Sequence, residues 1–446
     1  MNIGPAAIGL YEERSRQALS LALDQTPLYA SWRGRDPGEG HEINARYRAL
    51  PLLTKDDLRA HFPYGCVPIG RNLDAALARG EVSFVRTSGT TDEALTNLWN
   101  QGWWDASERA SWTLNAVAAR VATGTHPEAI LASALSVGPR SEGPPIARPG
   151  RMLGRFLFLN EYGRTEEWPA GHERRMLAEL ADYRPSVLEA NPSLLARLAR
   201  AAERLGLEVP PVPLITLTYE FPSELHLRVI RRVFRSPIAS SYGSTEAGYV
   251  FMECEHGRLH QNTESCRVDL VPLPGGDESA VVPPGGLGRI VATTFGNAWF
   301  PLLRFEVGDV GRMAVNPCPC GRTLGLTLSS LEGRLKSLCV AGNGIPVTHG
   351  AIDRALAGVD GLEAYRVDQD APNRVHCAVV AAPDQGQALA REASAALSKL
   401  FGLGVSIEAV EVPELLAEPS SKFLLALRSF PLDRVAPLRT GEAPHG

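Results

Sequence analysis

Phe84-Val85-Arg86-Thr87-Ser88-Gly89-Thr90-Thr91-Asp92-Glu93 runs from two apolar residues into a cluster of hydroxyls around one glycine. The pattern predicts a strand feeding a tight loop. Backbone N–H groups and side-chain hydroxyls of such a loop can converge on one point, which suits phosphate oxygens. The same composition also makes ordinary polar turns, so the reading depends on what surrounds it.

Downstream of that loop, strand-like and helix-like stretches alternate. Residues 103 to 121 read as a long helix, Ile130–Leu135 and Arg155–Leu159 as buried strands, and 138 to 154 as a Gly/Pro/Arg-rich loop. A helix at 171 to 183, a strand at Ser186–Glu189, a helix from Pro192 to Leu205, a strand at Leu214–Leu217, a helix at 222 to 234 and a strand at Ile238–Ser240 follow. This alternation predicts an α/β fold with mostly parallel sheets covered by helices. Upstream, residues 8 to 31 are helical in period, and Thr54 precedes Lys55-Asp56-Asp57 as an N-cap with acids in the first turn. From about Arg289 the texture turns β-rich. A polar stretch at Ser329–Lys336 leads to a terminal segment with helices near 349–357 and 386–402 and strands near 363–368, 374–380 and 404–411. The expected organisation is a large multi-subdomain domain over 1–332, with a β-rich subdomain, and a small mobile α+β domain over 333–446.

A chain of 446 residues exceeds one compact core. Its net charge of −5 and lack of a Lys/Arg tract provide no field for nucleic acid. No apolar run approaches the roughly 20 residues that span a bilayer. Met1-Asn2-Ile3-Gly4-Pro5 lacks the basic-then-apolar pattern of a signal peptide, so no membrane partner and a cytoplasmic location are expected. Of 45 basic residues only those at 55, 336, 399 and 422 are lysine. Arginine replaces lysine on most surfaces, but not where a compact ammonium must reach one oxygen, so each surviving lysine raises a question.

The order of motifs resembles the adenylate-forming superfamily of acyl- and aryl-CoA ligases, most closely its phenylacetate-CoA ligase branch. Leu50-Pro51-Leu52-Leu53-Thr54-Lys55-Asp56-Asp57-Leu58 is similar to that branch's N-terminal signature. Thr87-Ser88-Gly89-Thr90-Thr91 resembles the phosphate loop, and Ser241-Tyr242-Gly243-Ser244-Thr245-Glu246 the adenine- and magnesium-binding motif. Arg304-Phe305-Glu306-Val307-Gly308-Asp309 resembles the ribose-binding motif, and Glu332-Gly333-Arg334-Leu335-Lys336 the hinge. The resemblance implies ATP-dependent activation of an aromatic carboxylic acid, of the benzoate or phenylacetate type, as an acyl-adenylate. Transfer to coenzyme A or a carrier-protein pantetheine follows. Two alternatives remain: a stand-alone adenylase passing aryl-AMP to an amine or a partner protein, and a degenerate homologue that only binds an aryl-AMP-like ligand.

In this reading, Thr87 to Thr91 hold the β- and γ-phosphates, with Thr90 contributing to catalysis. Glu246 holds Mg²⁺, Tyr242 offers a flat face to adenine, Asp309 accepts from the ribose hydroxyls, and Arg334 adds a ribose or phosphate contact. Tyr219-Glu220 stands where the family has a Gly-Glu-like pair, with Glu220 lining the nucleotide site. Tyr219, Ala239, Ser240 and Ser241 form the acid pocket. Lys422 bridges carboxylate and α-phosphate, although Ser421 replaces the usual preceding glycine, and Lys336 sits at the hinge. Gly342 and Gly344 fit a second, thiol-transfer orientation. The phosphate loop departs from the pattern: Asp92, Glu93 and Ala94 stand where the family has Gly, a polar or basic residue, and Pro. Acids beside a polyphosphate are unfavourable unless they point outward or help hold the metal.

Seven cysteines, an odd number, argue against a disulfide framework. Cys318-Pro319-Cys320-Gly321, with Cys254 and either His256 or His260, can supply four ligands for tetrahedral Zn²⁺. The resemblance favours His260 and implies a structural zinc at Cys254, His260, Cys318 and Cys320. A homodimer is expected by analogy alone.

Overall fold

A computed structural model describes residues 5–87, 95–138, 144–382, 388–418 and 421–431. Contacts divide the chain into two compact units. One comprises Met1–Gly124, Ala239–Leu273 and Asp277–Ser330; the other comprises Thr125–Ile238, Pro274–Gly276 and Leu331–Gly446.

The first unit is built on antiparallel strands in the order Cys266–Val271, Leu287–Thr294, Phe305–Met313, Thr327–Arg334, Leu259–Gln261, Gly248–Glu253 and Ile238–Ser244. The β-rich texture therefore starts at Ile238, some fifty residues before Arg289. The Ile238 strand does not stop at Ser240 but runs to Ser244 and turns back on itself. The N-terminal helix Pro5–Gln25 and the short helix Lys55–His61 also belong to this unit. Thr54 caps the latter as its sequence predicts, with Asp57 completing a reciprocal capping box. The helix expected over 103–121 is broken: Gln101–Trp112 and Ala118–Val121 are separate, and the Asn115 carboxamide accepts from the N–H groups of Val117 and Ala118. An asparagine offering its side chain to the backbone competes with continued helix.

The second unit contains the parallel sheet, with strands Leu214–Leu217, Val187–Ala190, Glu128–Leu131 and Phe156–Phe158 side by side and a short antiparallel edge at Met152–Leu153. Leu188, Ile215, Leu195, Leu198, Val229 and Ile230 form its core. Three of the four parallel strands are buried at every residue, as strands are when helices cover both faces. The helix Pro192–Leu205 starts on an Asn191 cap with Pro192 in its first turn and stops at Gly206, whose φ of 59° is left-handed. The C-terminal segment adds a four-stranded sheet in the order Ser406–Glu411, Arg374–Ala381, Leu362–Ala371, Ala426–Arg428, with helices His349–Ala357 and Ala388–Phe401. Its core of Ile352, Leu356, Val367, Val375, Leu397 and Phe401 also takes in Leu225, from the helix Glu224–Val233.

Candidate functional site

In the first unit the strand Ser83–Arg86 pairs antiparallel with Thr96–Trp99. Thr87 closes the base of the intervening loop: its N–H donates to the Leu95 carbonyl and its Oγ1 accepts from Leu95 N–H, both at 2.9 Å. Ser88, Gly89, Thr90, Thr91 and the departures Asp92, Glu93 and Ala94 lie outside the described residues.

The adenine- and magnesium-type motif forms a hairpin. Tyr242 pairs with Phe251, Gly243 with Tyr249 and Ser244 with Gly248, so one extra residue bulges between. Both glycines are required. A Cβ on Gly243 would meet the Gly248 carbonyl oxygen at 2.3 Å, and Gly248 has φ of 71° with Ser107 and Trp103 pressed against it. Tyr242 Oη donates to Asp309 Oδ2 at 2.8 Å, joining the adenine-type motif to the ribose-type motif. Asp309 follows Gly308, which bends the strand Phe305–Met313 at φ of 97°. Ala239, Ser240 and Ser241 are buried in the same hairpin, and the Ser240 N–H donates to Glu253.

Glu246 sits in the hairpin turn and is only 4 % exposed, and Lys55 Nζ lies 3.8 Å from its Oε1. A carboxylate this buried needs a counter-charge. The N-terminal signature is brought there by backbone pairing: Leu53 N–H donates to the Arg304 carbonyl and Glu306 N–H to the Leu53 carbonyl, each at 2.9 Å. Lys55 was not among the site residues expected from sequence. The signal that could have found it was the scarcity of lysine.

Also in this unit, Cys254, His260, Cys318 and Cys320 place their ligand atoms within 4.8 Å of one another. Cys254 Sγ is 3.6 Å from Cys318 Sγ, and Cys320 Sγ is 3.2 Å from His260 Nε2. Two tight turns present the cysteines, ending at Gly257 and Gly321, both with positive φ. His256 is outside the cluster. Burial, then the Arg322 guanidinium, lowers the His260 pKa to about 4 and leaves a neutral imidazole able to ligate. Burial pushes the Cys254 thiol up to about 12. Burial also acts to raise Cys320, but hydrogen bonds from the backbone and side chain of Arg322 outweigh it and hold this thiol below its usual range. Three sulfurs and one nitrogen at these separations fit tetrahedral Zn²⁺.

In the second unit, the carboxyl ends of the parallel strands lead into Ser133, Asn160, Asn191 and Tyr219. Tyr219 has φ of 75°, the conformation that favours glycine, and it stands where the family pattern has glycine. Its hydroxyl donates to Glu189, and its ring packs with Ile130, Ala132 and Phe158. Glu220 is partly exposed as a residue, but its carboxylate is enclosed by protein: Oε2 accepts from Ser193 Oγ and Oε1 from Phe423 N–H, each at 2.8 Å. Burial holds its pKa above the usual carboxyl range; Phe423 N–H, Asn191, Ser193 and the nearby Lys422 charge oppose that rise.

Lys422 is thus beside Glu220. It follows Ser421, whose φ of 61° again keeps the left-handed backbone where the family has glycine. A small cavity of about 10 Å³ lies between Ser133, Asn160 and Trp168 on one side and Ala417, Ser421 and Phe423 on the other. A larger groove of about 510 Å³, lined by Glu224, Arg228, Arg231, Arg354 and Ala357, contains none of the motif residues. Arg334 and Lys336 are exposed at and just after the end of the strand Thr327–Arg334. Before them, buried Glu332 accepts from Thr348 and Arg354, and Gly333 leaves no room for a Cβ against His349.

No family model matches the chain. Its sequence is 26% identical over 325 residues to a phenylacetate-coenzyme A ligase of Thermus thermophilus, covering 70% of this chain and 67% of that protein. It is 23% identical over 312 residues to a phenylacetate-coenzyme A ligase of Pseudomonas putida, covering 68% and 65%. The matched region thus spans about two thirds of the length of each relative. The crystal structure of a 2-hydroxyisobutyryl-CoA ligase in the postadenylation state superposes with a TM-score of 0.69 at 18% identity, covering 93% of this chain and 88% of that one. The fold is that of the adenylate-forming CoA ligases. In sequence the chain is similar to phenylacetate-CoA ligases. No helix among the described residues is long and apolar enough to cross a membrane.

Proposed function

We propose that this chain is an AMP-forming acid–thiol ligase that activates an aromatic carboxylic acid with ATP and transfers the acyl group to coenzyme A or a pantetheine thiol. The observation that carries this reading is the 2.8 Å hydrogen bond from Tyr242 to Asp309, which unites two motifs 67 residues apart at one place. The names of the two sequence relatives support it.

In the first half-reaction a carboxylate oxygen of the acid attacks the α-phosphorus of ATP, and pyrophosphate leaves. The chain's part is to align and to neutralise charge. Thr87 anchors the phosphate loop, Tyr242 supports adenine, Asp309 accepts from ribose, and Lys422 supplies a point charge to the α-phosphate. Glu246 would hold Mg²⁺, which when bound screens the phosphate oxygens from the incoming carboxylate. The four-ligand cluster would hold a structural zinc. In the second half-reaction the thiol sulfur attacks the acyl carbon and AMP leaves. The chain divides for this purpose into a body over 1–332 and a mobile domain over 333–446, with rotation near Lys336. The aromatic preference is supported by the apolar, ring-bearing surroundings of Tyr219.

Acid-dependent exchange of pyrophosphate into ATP, measured across a panel of benzoates and phenylacetates, tests the first half. Thioester formation with free coenzyme A tests the second. Exchange without any thioester would leave an amine or protein acceptor, and absence of exchange with every acid would defeat the reading.

A further inference from the structure

The segment from Glu220 to Leu225 touches the C-terminal part of the chain at nearly every residue. Glu220 Oε1 accepts from Phe423 N–H at 2.8 Å. The Phe221 ring lies 4.0 Å from the His349 ring, tilted by 32°. Asp353 Oδ1 accepts from Ser223 Oγ at 2.5 Å and from Tyr365 Oη at 2.9 Å, and its Oδ2 accepts from Glu224 N–H at 2.8 Å. His349 Nε2 is 3.0 Å from the same Tyr365 hydroxyl. Leu225 is buried in the C-terminal core. Asp353, 2 % exposed, therefore holds the Ser223 cap and the first N–H of the helix Glu224–Val233 from about 130 residues along the chain.

We propose that Glu220–Glu224 is a latch for the C-terminal segment and that Asp353 is its positioning residue, holding Lys422 in the orientation that acid activation requires. The inference rests on the functional reading above. Its physical basis is the kind of bond used. A permanent joint is best made of apolar side chains alone, whereas here the apolar contacts of Leu225 and Phe221 are joined by hydrogen bonds of Glu220, Ser223 and Glu224 that water can satisfy once they part. Closed, the three donors around Asp353 fix one geometry. Open, Ser223 and Glu224 regain solvent at small net cost, while Tyr365 stays on the same side of the joint as Asp353. The bond from Glu220 to Phe423 is flanked by the two left-handed residues Tyr219 and Ser421, so the latch holds backbone that would relax on release.

Asp353→Asn keeps the size of the side chain but turns one acceptor into a donor facing other donors. Acid-dependent pyrophosphate exchange should fall about tenfold or more, since hydrogen bonds to a carboxylate are lost where a buried polar group needs them. Thioester formation from pre-made aryl-AMP should be unchanged or faster. In the full-length protein, amide hydrogen exchange should rise in His349–Ala357 and at the start of Glu224–Val233, while Val187–Ala190 and Leu214–Leu217 stay protected. Phe221→Ala carries the same expectations if Asp353→Asn does not fold. Equal loss in both half-reactions, no selective loss in the first, or unchanged exchange in His349–Ala357 would overturn the latch. If the wild type shows neither half-reaction with any aryl acid, the functional reading fails, and hydrogen exchange alone judges the latch.

Discussion

The hairpin at Ile238–Glu253 and the joint at Glu220–Glu224 both carry buried carboxylates, but they handle charge differently. Glu246 in the hairpin keeps a lysine 3.8 Å away. Asp353 at the joint is met by neutral N–H and hydroxyl donors, Glu220 accepts from the same kinds of donor with the Lys422 charge nearby, and burial raises the pKa of both. A carboxylate with a cation beside it is ready to exchange that cation for a metal. One held by neutral donors is suited to fixing backbone. The same side chain is thus paired with a cation in one unit and set among backbone and hydroxyl donors in the other, which is the contrast the proposed roles rest on.

The largest expected effect separates the two roles. Lys422→Ala should lower the acid-to-adenylate rate by a few orders of magnitude, corresponding to about 3–5 kcal/mol of transition-state stabilisation. Thioester formation from pre-made aryl-AMP should survive. Lys422→Arg should be poor as well, because a planar fork does not replace a point charge. Measuring the half-reactions separately decides; a matched loss in both would make the lysine structural.

Glu246→Gln should reduce adenylation by roughly a hundredfold, within the range for losing one electrostatic contributor, while the thermal unfolding midpoint stays near that of the wild type. Lys55→Gln should act more weakly and in the same reaction step, since it leaves Glu246 buried without its counter-charge. Wild-type turnover of Glu246→Gln at subsaturating Mg²⁺ would break the contrast drawn above.

The cluster of Cys254, His260, Cys318 and Cys320 predicts a metal-dependent effect on stability. The purified protein should carry about one zinc per chain, and Cys318→Ser combined with Cys320→Ser should lose it and lower the unfolding midpoint by roughly 5 °C. Metal analysis of protein prepared without chelators checks this, and a zinc-free wild type would reduce the cluster to thiols in two turns.

The smallest effect is a pH dependence. Glu220 has a folded pKa above its ordinary value, so the folded state binds the proton more tightly than the unfolded state. Its stabilisation is present at pH below the unfolded carboxyl value and fades as pH rises through the folded one. Glu220→Gln does not titrate. Its unfolding midpoint relative to wild type should therefore climb as pH rises from the usual carboxyl range, and a flat difference would show that Glu220 is not strained by burial.

Local pattern was enough for much of the fold. The helix Pro192–Leu205 and the strand Leu214–Leu217 fall where apolar runs, a proline and a glycine put them, and Thr54 caps its helix because the capping box is written in four consecutive residues. The helix over 103–121 was misread because one asparagine, unremarkable in the periodicity, turns its carboxamide onto the backbone. The strand from Ile238 was cut short because a hairpin with a bulge at a glycine pair does not alternate cleanly.

The sequence by itself determined the order of the motifs, and with it the class of fold, since each motif needs only neighbouring residues to form its turn or loop. It also set out the three cysteines of the Cys/His cluster; spacing left two histidines in competition, and the resemblance favoured His260. The tertiary structure brings His260, and not His256, to the sulfurs by placing it on a strand between two turns that present them. Only the tertiary structure brought Lys55 to Glu246 and Asp353 to Ser223 and Glu224, because those partners lie far apart in the chain. Such pairings arise from strand register and helix docking, and no local periodicity records them. Tyr219 and Ser421 make the same point from the other side. Their side chains depart from the glycine pattern, yet the surrounding contacts hold both in the left-handed conformation that glycine would adopt freely.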